Sequence, residues 1–216
     1  MYKKIIIFFV VFSLYSCAEL QNVMSTMPGT MDSETIARGL RQALDQGIDK
    51  QVSKLTQQGG FYNNQLVKIL LPQELRKVDQ ALRDIGLGSL ADEGLKLLNS
   101  AAEDAVKEAT PIFVDAVKSI TFADAKNILL GQENAATVYL ESRTNQSLYS
   151  KFNPVIQSSF AKVGADQVWT NIIERYNAIP FVQKVNPDLT DYVTNEALKG
   201  VYTMISMEEK NIRNNI

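Results

Sequence analysis

The chain has 216 residues, with 22 Lys and Arg against 24 Asp and Glu, one cysteine and no histidine. A histidine-based catalytic triad, a Cys-His pair, a histidine-ligated zinc site and an intrachain disulfide are therefore excluded from a single chain. The slightly acidic balance carries no electrostatic footprint for nucleic acid. The 45% apolar content is enough material for a core.

Lys3 and Lys4 precede an apolar run from Ile5 to Phe12, extended by Leu14 and Tyr15. A basic start, a short apolar core and a small residue before the cut make the plan of a secretory signal peptide. The run falls short of the ~20 apolar residues that span a bilayer, and polar Glu19, Gln21 and Asn22 follow at once. Leu14-Tyr15-Ser16-Cys17 resembles a bacterial lipobox, with Tyr15 where a small residue is usual. That resemblance implies cleavage before Cys17, diacylation of its thiol and acylation of the new amino terminus. Two or more acyl chains hold stably, since each buried CH₂ contributes about 0.8 kcal/mol. The competing reading is a buried free cysteine. The predicted organisation is a signal peptide over 1–16, lipidated Cys17 and a tether over 17–31 broken at Pro28-Gly29, and one all-helical domain over 32–216. The predicted address is the bacterial cell envelope, lipid-anchored at the outer membrane and facing the periplasm, with the bilayer as partner through acylated Cys17. Loss of Lys3 and Lys4 takes the net charge from −2 to about −4, which gives no strong pull towards anionic lipid.

Beyond the tether the signals are helical. Asp32 or Ser33 caps a first helix, with Glu34 in its first turn and Ile36, Leu40, Leu44, Ile48, Val52 and Leu55 along one stripe. Gly59-Gly60 ends it. Leu66–Leu71 is a short apolar run whose periodicity fits an extended segment or a buried helical turn. Pro72 opens a second helix, with Leu75, Val78, Leu82 and Ile85 inward and Gly86 as its stop. Ser89 with Asp92 resembles a capping box for a third helix carrying Leu90, Leu97, Leu98, Ala101, Ala102 and Ala105, broken or kinked at Pro111. Ile112 to Ile120 continue the pattern. Thr121 with Asp124 repeats the cap, and Gly131 closes that helix. Segments 133–142 and 146–163 follow, the latter interrupted at Pro154 and ended by Gly164. Asp166 caps a helix through Tyr176 in which Trp169 anchors the core. Thr190 caps the last helix, to about Arg213, with Val193, Ala197, Val201 and Ile205 inward. Tyr202, Met204 and Met207 read as core or flank, and Glu208-Glu209 with Lys210 and Arg213 as a solvated end. The predicted fold class is all-α: a single-domain bundle of about seven to nine helices behind a lipoprotein signal peptide.

Several phrases occur together in this order: Gly59–Asn64 (GGFYNN), Ile69–Pro72 (ILLP), Ser119–Ala125 (SITFADA), Phe152–Pro154 (FNP), Arg175–Phe181 (RYNAIPF) and Asn186–Thr194 (NPDLTDYVT). Behind a lipobox they resemble a family of bacterial envelope lipoproteins known only as a domain of unknown function. The likeness covers roughly residues 33–210. It implies one all-helical lipoprotein domain and brings no catalytic residue with it.

Two regions are candidate sites. In Gly59–Asn64 the glycines permit positive φ, Phe61 and Tyr62 offer stacking faces, and Asn63 and Asn64 offer donors and acceptors. The group suits a sugar or a peptide backbone, or else a helix-to-helix loop in which Phe61 plugs the core. The second region runs from Arg175, Tyr176 and Asn177 to Asn186, Asp188 and Asp191. Asp188 and Asp191 can be paired carboxylates for acid–base work on a glycoside, or bind a hard cation with Asn186. Alternatively Asp188 and Thr190 cap the last helix, Asp191 favours its positive end, and Arg175 pairs with one of the two. There is no Gly-rich phosphate loop and no loop-type calcium pattern, and Gly86-Leu87-Gly88 reads as a helix stop. No metal site or cofactor is expected. The expected function is a non-enzymatic binding or assembly module of the envelope, with an envelope protein or peptidoglycan as partner and no nucleic acid. The alternative is a carboxylate-dependent hydrolase acting on a cell-wall glycan.

Overall fold

Apolar residues three and four apart build helices throughout the computed structural model, which describes residues 33–71, 76–84, 86, 88–178, 180–181 and 184–214. Among these residues there are eight helices and no strand: α1 (Ser33–Leu55), α2 (Arg76–Asp84), α3 (Gly88–Val106), α4 (Ala109–Lys118), α5 (Phe122–Leu130), α6 (Ala135–Ala161), α7 (Ala165–Asn177) and α8 (Leu189–Asn214). None of them is long and apolar enough to cross a membrane. The signal run, Cys17, the tether, Pro72 and Leu75, and Ile85 lie outside the described residues, as do the side chains of Val78, Leu82, Leu90 and Trp169. From Ala37 onward the chain forms one compact unit. The long helices α6 and α8 pack along each other, with α3 and α4 against α6.

The predicted stripes are the buried ones. Leu44, Ile48, Val52 and Leu55 of α1 meet Val193, Ala197, Val201 and Ile205 of α8 in one core cluster. The Thr121–Asp124 capping box forms with both of its bonds, and Gly131 is the C-cap of α5. Gly86 takes φ +82° after α2, the left-handed conformation that suits glycine at a helix end.

Several details differ from the sequence reading. The break between α3 and α4 falls at Lys107-Glu108, ahead of Pro111, which occupies the first turn of α4. There its missing N–H is one that no helix would have used. Pro154 does not interrupt its segment: 133–142 and 146–163 merge into the 27-residue α6, with Pro154 inside it. Pro154 is exposed, so solvent can serve the Ser150 carbonyl it leaves without a helical donor. Leu66–Leu71 is turns and coil. A buried Asn99 amide pairs there with Ile69, accepting from its N–H at 2.8 Å and donating to its carbonyl at 2.9 Å. Asp166 sits inside the first turn of α7 and Thr190 inside that of α8, their side chains bonded at 3.1 Å. Asp92 receives Arg83 at 2.7 Å.

The last difference is the largest. Glu208 and Glu209, read as a solvated end, are buried. Asn134, the N-cap residue of α6, makes no side-chain cap bond. Glu209 supplies one from across the fold, accepting from the backbone N–H of Ala136 and of Thr137 at 2.9 Å each and from the Thr137 hydroxyl at 2.8 Å. Arg213, one turn on, pairs with Glu209 at 2.9 Å and donates to the Ile128 carbonyl at 2.8 Å, at the end of α5. A carboxylate thus meets a positive helix start and a guanidinium a negative helix end. Glu208 bonds Lys50 at 2.6 Å and also Gln51. Burial alone would raise its carboxyl, but the bonds from Lys50 and Gln51 win and hold it below the ordinary range.

Glu209→Ala would leave two helix-start amides without an acceptor and a partly buried guanidinium without its counter-charge. Its expected cost is about 3–5 kcal/mol, the range for breaking one side of a buried pair, while Glu209→Gln keeps an acceptor oxygen and costs less. Urea unfolding midpoints check the order. Asp45 behaves in the opposite sense. One of its oxygens is buried without a hydrogen-bond partner among the described residues, and burial pushes its carboxyl up against the pull of Lys118. A folded-state value above the unfolded one removes stability as pH rises through that interval. Asp45→Asn is therefore expected to be more stable than the parent at pH 7, with the gap closing below the ordinary Asp value of 3.8, as read from unfolding at pH 3 and pH 7.

Candidate functional site: two polar clefts

The first cleft is built on the turn that follows α1. Gly59 has φ +80°, and a Cβ on Gly60 would stand 2.5 Å from the carbonyl oxygens of Lys54 and Leu55, so both positions need glycine. Glu103, buried on α3, accepts from the N–H groups of Gly59 and Phe61 at 3.2 Å each. The turn thereby drives Phe61 into the core, where its ring lies so close to Gly200 of α8 that a Cβ there would be 2.7 Å away. Asn64 accepts from Leu66 N–H at 3.1 Å and donates to the Met204 sulfur at 3.5 Å. The four residues of the motif therefore divide. Phe61 and Asn64 are taken up by packing and loop bonds. Tyr62 and Asn63 line a cleft of about 650 Å³, together with Gln58, Gly59, Lys96, Ser100 and Glu103.

Charge surrounds Tyr62. The Lys68 ammonium lies 3.8 Å from its ring centroid and the Lys96 ammonium 5.7 Å, both within the range of a cation–π attraction. Neither lysine forms an ion pair among the described residues. The nearby carboxylates are engaged, Asp92 with Arg83 and Glu103 with the turn. Sequence reasoning missed Glu103 and Lys96. The signal for Glu103 was available: with Asn99 it is a polar residue on the buried face of α3, among Leu95, Leu98, Ala102 and Ala105, and a buried polar group there must have a partner.

The second cleft lies at the start of α8. Asn177 donates to the Val185 carbonyl at 2.8 Å and accepts from its N–H at 2.9 Å, closing the loop between α7 and α8. Arg175 and Tyr176 have side chains outside the described ones. Asn186 accepts from Asp188 N–H at 2.9 Å, and Asp188 accepts from Asp191 N–H at 2.9 Å, which is the N-cap geometry of a helix starting at Leu189. Asp191 turns elsewhere. Its carboxylate accepts from the Tyr149 hydroxyl at 2.6 Å, from Asn195 at 3.0 Å and from Asn186. That bond, with burial and the charges of Asp191 and Asp188, pushes the Tyr149 hydroxyl up to about 12. Asp188 lines a cleft of about 390 Å³ with Asp166, Glu174, Thr170 and Thr190, which Asp191 does not enter. Burial raises the Asp166 carboxyl, the Thr190 bond opposes this, and the Asp188 charge adds to the rise. Among the described residues no group of three or more Asp, Glu, Cys or His side chains is placed to hold a metal ion.

The two aspartates should therefore respond differently to truncation. Asp188→Ala removes one cap bond, an expected loss of about 1 kcal/mol. Asp191→Ala strands a tyrosine hydroxyl and two amides that now bond to a charged group, with an expected loss of about 2–3 kcal/mol. Asp188→Asn is expected near the parent. Unfolding midpoints of the three variants in urea check that order.

No curated protein and no solved structure matches the chain. A family model described as a protein of unknown function, DUF4197, matches residues 30–216. That span holds both clefts and every helix from α1 to α8, and the chain belongs to this family.

Proposed function

We propose that this protein is a lipid-anchored, non-enzymatic binding module of the bacterial envelope. Acylated Cys17 holds it at the outer membrane, facing the periplasm. Its Tyr62 cleft takes a polar ligand, a saccharide or peptide portion of peptidoglycan. The observation that carries the binding reading is the cleft itself. The Tyr62 ring, the Lys96 ammonium, which has no ion-pair partner among the described residues, and the side chains of Asn63 and Gln58 meet at a concave surface of about 650 Å³, a size usual for ligand sites. The signal run and the Leu14–Cys17 motif support the anchor.

Hydrolysis of a cell-wall glycan is a second reading with one observation in its favour. Asp166 and Asp188 share a cleft, and the first has a raised carboxyl of the kind a general acid needs. It stands behind the binding reading because Asp188 already serves as a helix cap.

Purified peptidoglycan sacculi should retain the parent protein. Retention should fall at least tenfold in Tyr62→Ala and in Lys96→Gln, with the unfolding midpoint of Lys96→Gln unchanged. Equal retention of parent and variants would remove the cleft from the reading. Release of soluble muropeptides by the parent, abolished in Asp166→Asn, would favour the hydrolase. Cys17→Ser should leave the domain folded and either free of membranes or held as uncleaved precursor, which fractionation and mass spectrometry distinguish.

A further inference from the structure

Helices α1 and α8 run antiparallel. Gly47 lies against Glu208 and Ile212, Gln51 bonds Glu208, and Phe61 beyond the end of α1 lies against Gly200. Arg213 reaches the end of α5 and Glu209 the start of α6. Residues 39–44 of α1, the end of α5, the start of α6 and the end of α8 therefore share one end of the compact unit. That end carries an apolar cleft of about 400 Å³, lined chiefly by Leu40, Ala43, Ile128, Leu129 and Ile212. The charged groups lining it are Glu209 and Arg213, which pair with each other at 2.9 Å. Leu129 is 41% exposed and its neighbour Leu130 77%, far more than a helix end needs for its own packing.

The place of this end along the chain says what covers it. Fifteen residues separate Cys17 from Ser33, a contour of at most about 58 Å. The compact unit begins at Ala37 of α1, two positions before Gly39 in the apolar cleft. The acidic cleft stands at the other end of α8, 26 residues away, or about 39 Å at 1.5 Å per residue. We infer that the apolar end docks on the lipid bilayer, with Leu129 and Leu130 entering the boundary between headgroups and acyl chains. The inference rests on the proposal that Cys17 is the anchor. A tether of that length raises the local concentration of the surface, so a contact too weak to hold a free protein suffices for an anchored one. The Glu209–Arg213 pair brings no net charge to the interface.

The test uses the mature-length chain carrying Cys17→Ser, floated with vesicles of phosphatidylethanolamine and phosphatidylglycerol. Its vesicle partitioning is expected to be weak but measurable, and to fall at least tenfold when Leu129→Ser and Leu130→Ser are added. Leu66→Ser with Leu70→Ser is the control. Those leucines are also exposed, but Leu70 lies by Tyr192 in the first turns of α8, its carbonyl accepting from the tyrosine hydroxyl at 2.6 Å. Equal partitioning of all three chains, or loss in the control alone, overturns the docking. So does a concentration-dependent dimer abolished by the Leu129 and Leu130 changes in the absence of vesicle binding, which would assign the face to a second copy. Acylation is read separately, from the mass of the wild-type mature protein. An unmodified Cys17 removes the anchor whatever the vesicles show. An acylated Cys17 without leucine-dependent partitioning removes the docking alone.

Discussion

The Glu209–Arg213 pair is the constraint on which the rest of the arrangement depends. Helix starts and ends leave amides and carbonyls unsatisfied, and inside a fold each must find a partner. Here the end of α5 and the start of α6 are close in sequence but are joined through a third helix. One turn of α8 presents a guanidinium to the first and a carboxylate to the second. The same turn holds α1 through Glu208, Lys50 and Gln51. Position along α8 is therefore fixed by charge at one end and by the close seat of Phe61 on Gly200 nearer its middle.

Much of the architecture was legible because the signals were local. The α1 and α8 stripes, the Thr121–Asp124 box and the Gly86 stop depend on residues a few positions apart, and each reads the same way in the chain as in the structure. The misreadings have a common origin. Glu208 and Glu209 look like a solvent face because their partners lie more than seventy positions away in Ala136 and Thr137, and farther still in Lys50 and Gln51. Pro154 looks like a helix stop because its exposure, which makes it tolerable, is a tertiary property. Of the candidate site, Tyr62 and Asn63 were visible as a motif. Lys96 and Glu103 were not, because α3 supplies them from some forty residues downstream.

Amides take the place of strands in this protein. Asn99 satisfies both backbone groups of Ile69, and Asn177 both of Val185. Each does with one side chain what a neighbouring strand would do with a ladder. The two non-helical segments they pin are those that border the two clefts, so the cleft walls are held by polar side chains on helices while the helices themselves are held by apolar packing. Substitution of Lys96 or Asn63 can then alter binding without reaching the core, whereas Glu103 serves both.

The cross-fold cap also has a consequence for how the chain reaches its folded state. A polypeptide emerges from synthesis amino end first and can fold as it appears. Here α5 and α6 have their ends unsatisfied, and Phe61 has no seat, until the last described helix arrives. Completion of the earlier helices' packing therefore waits for α8.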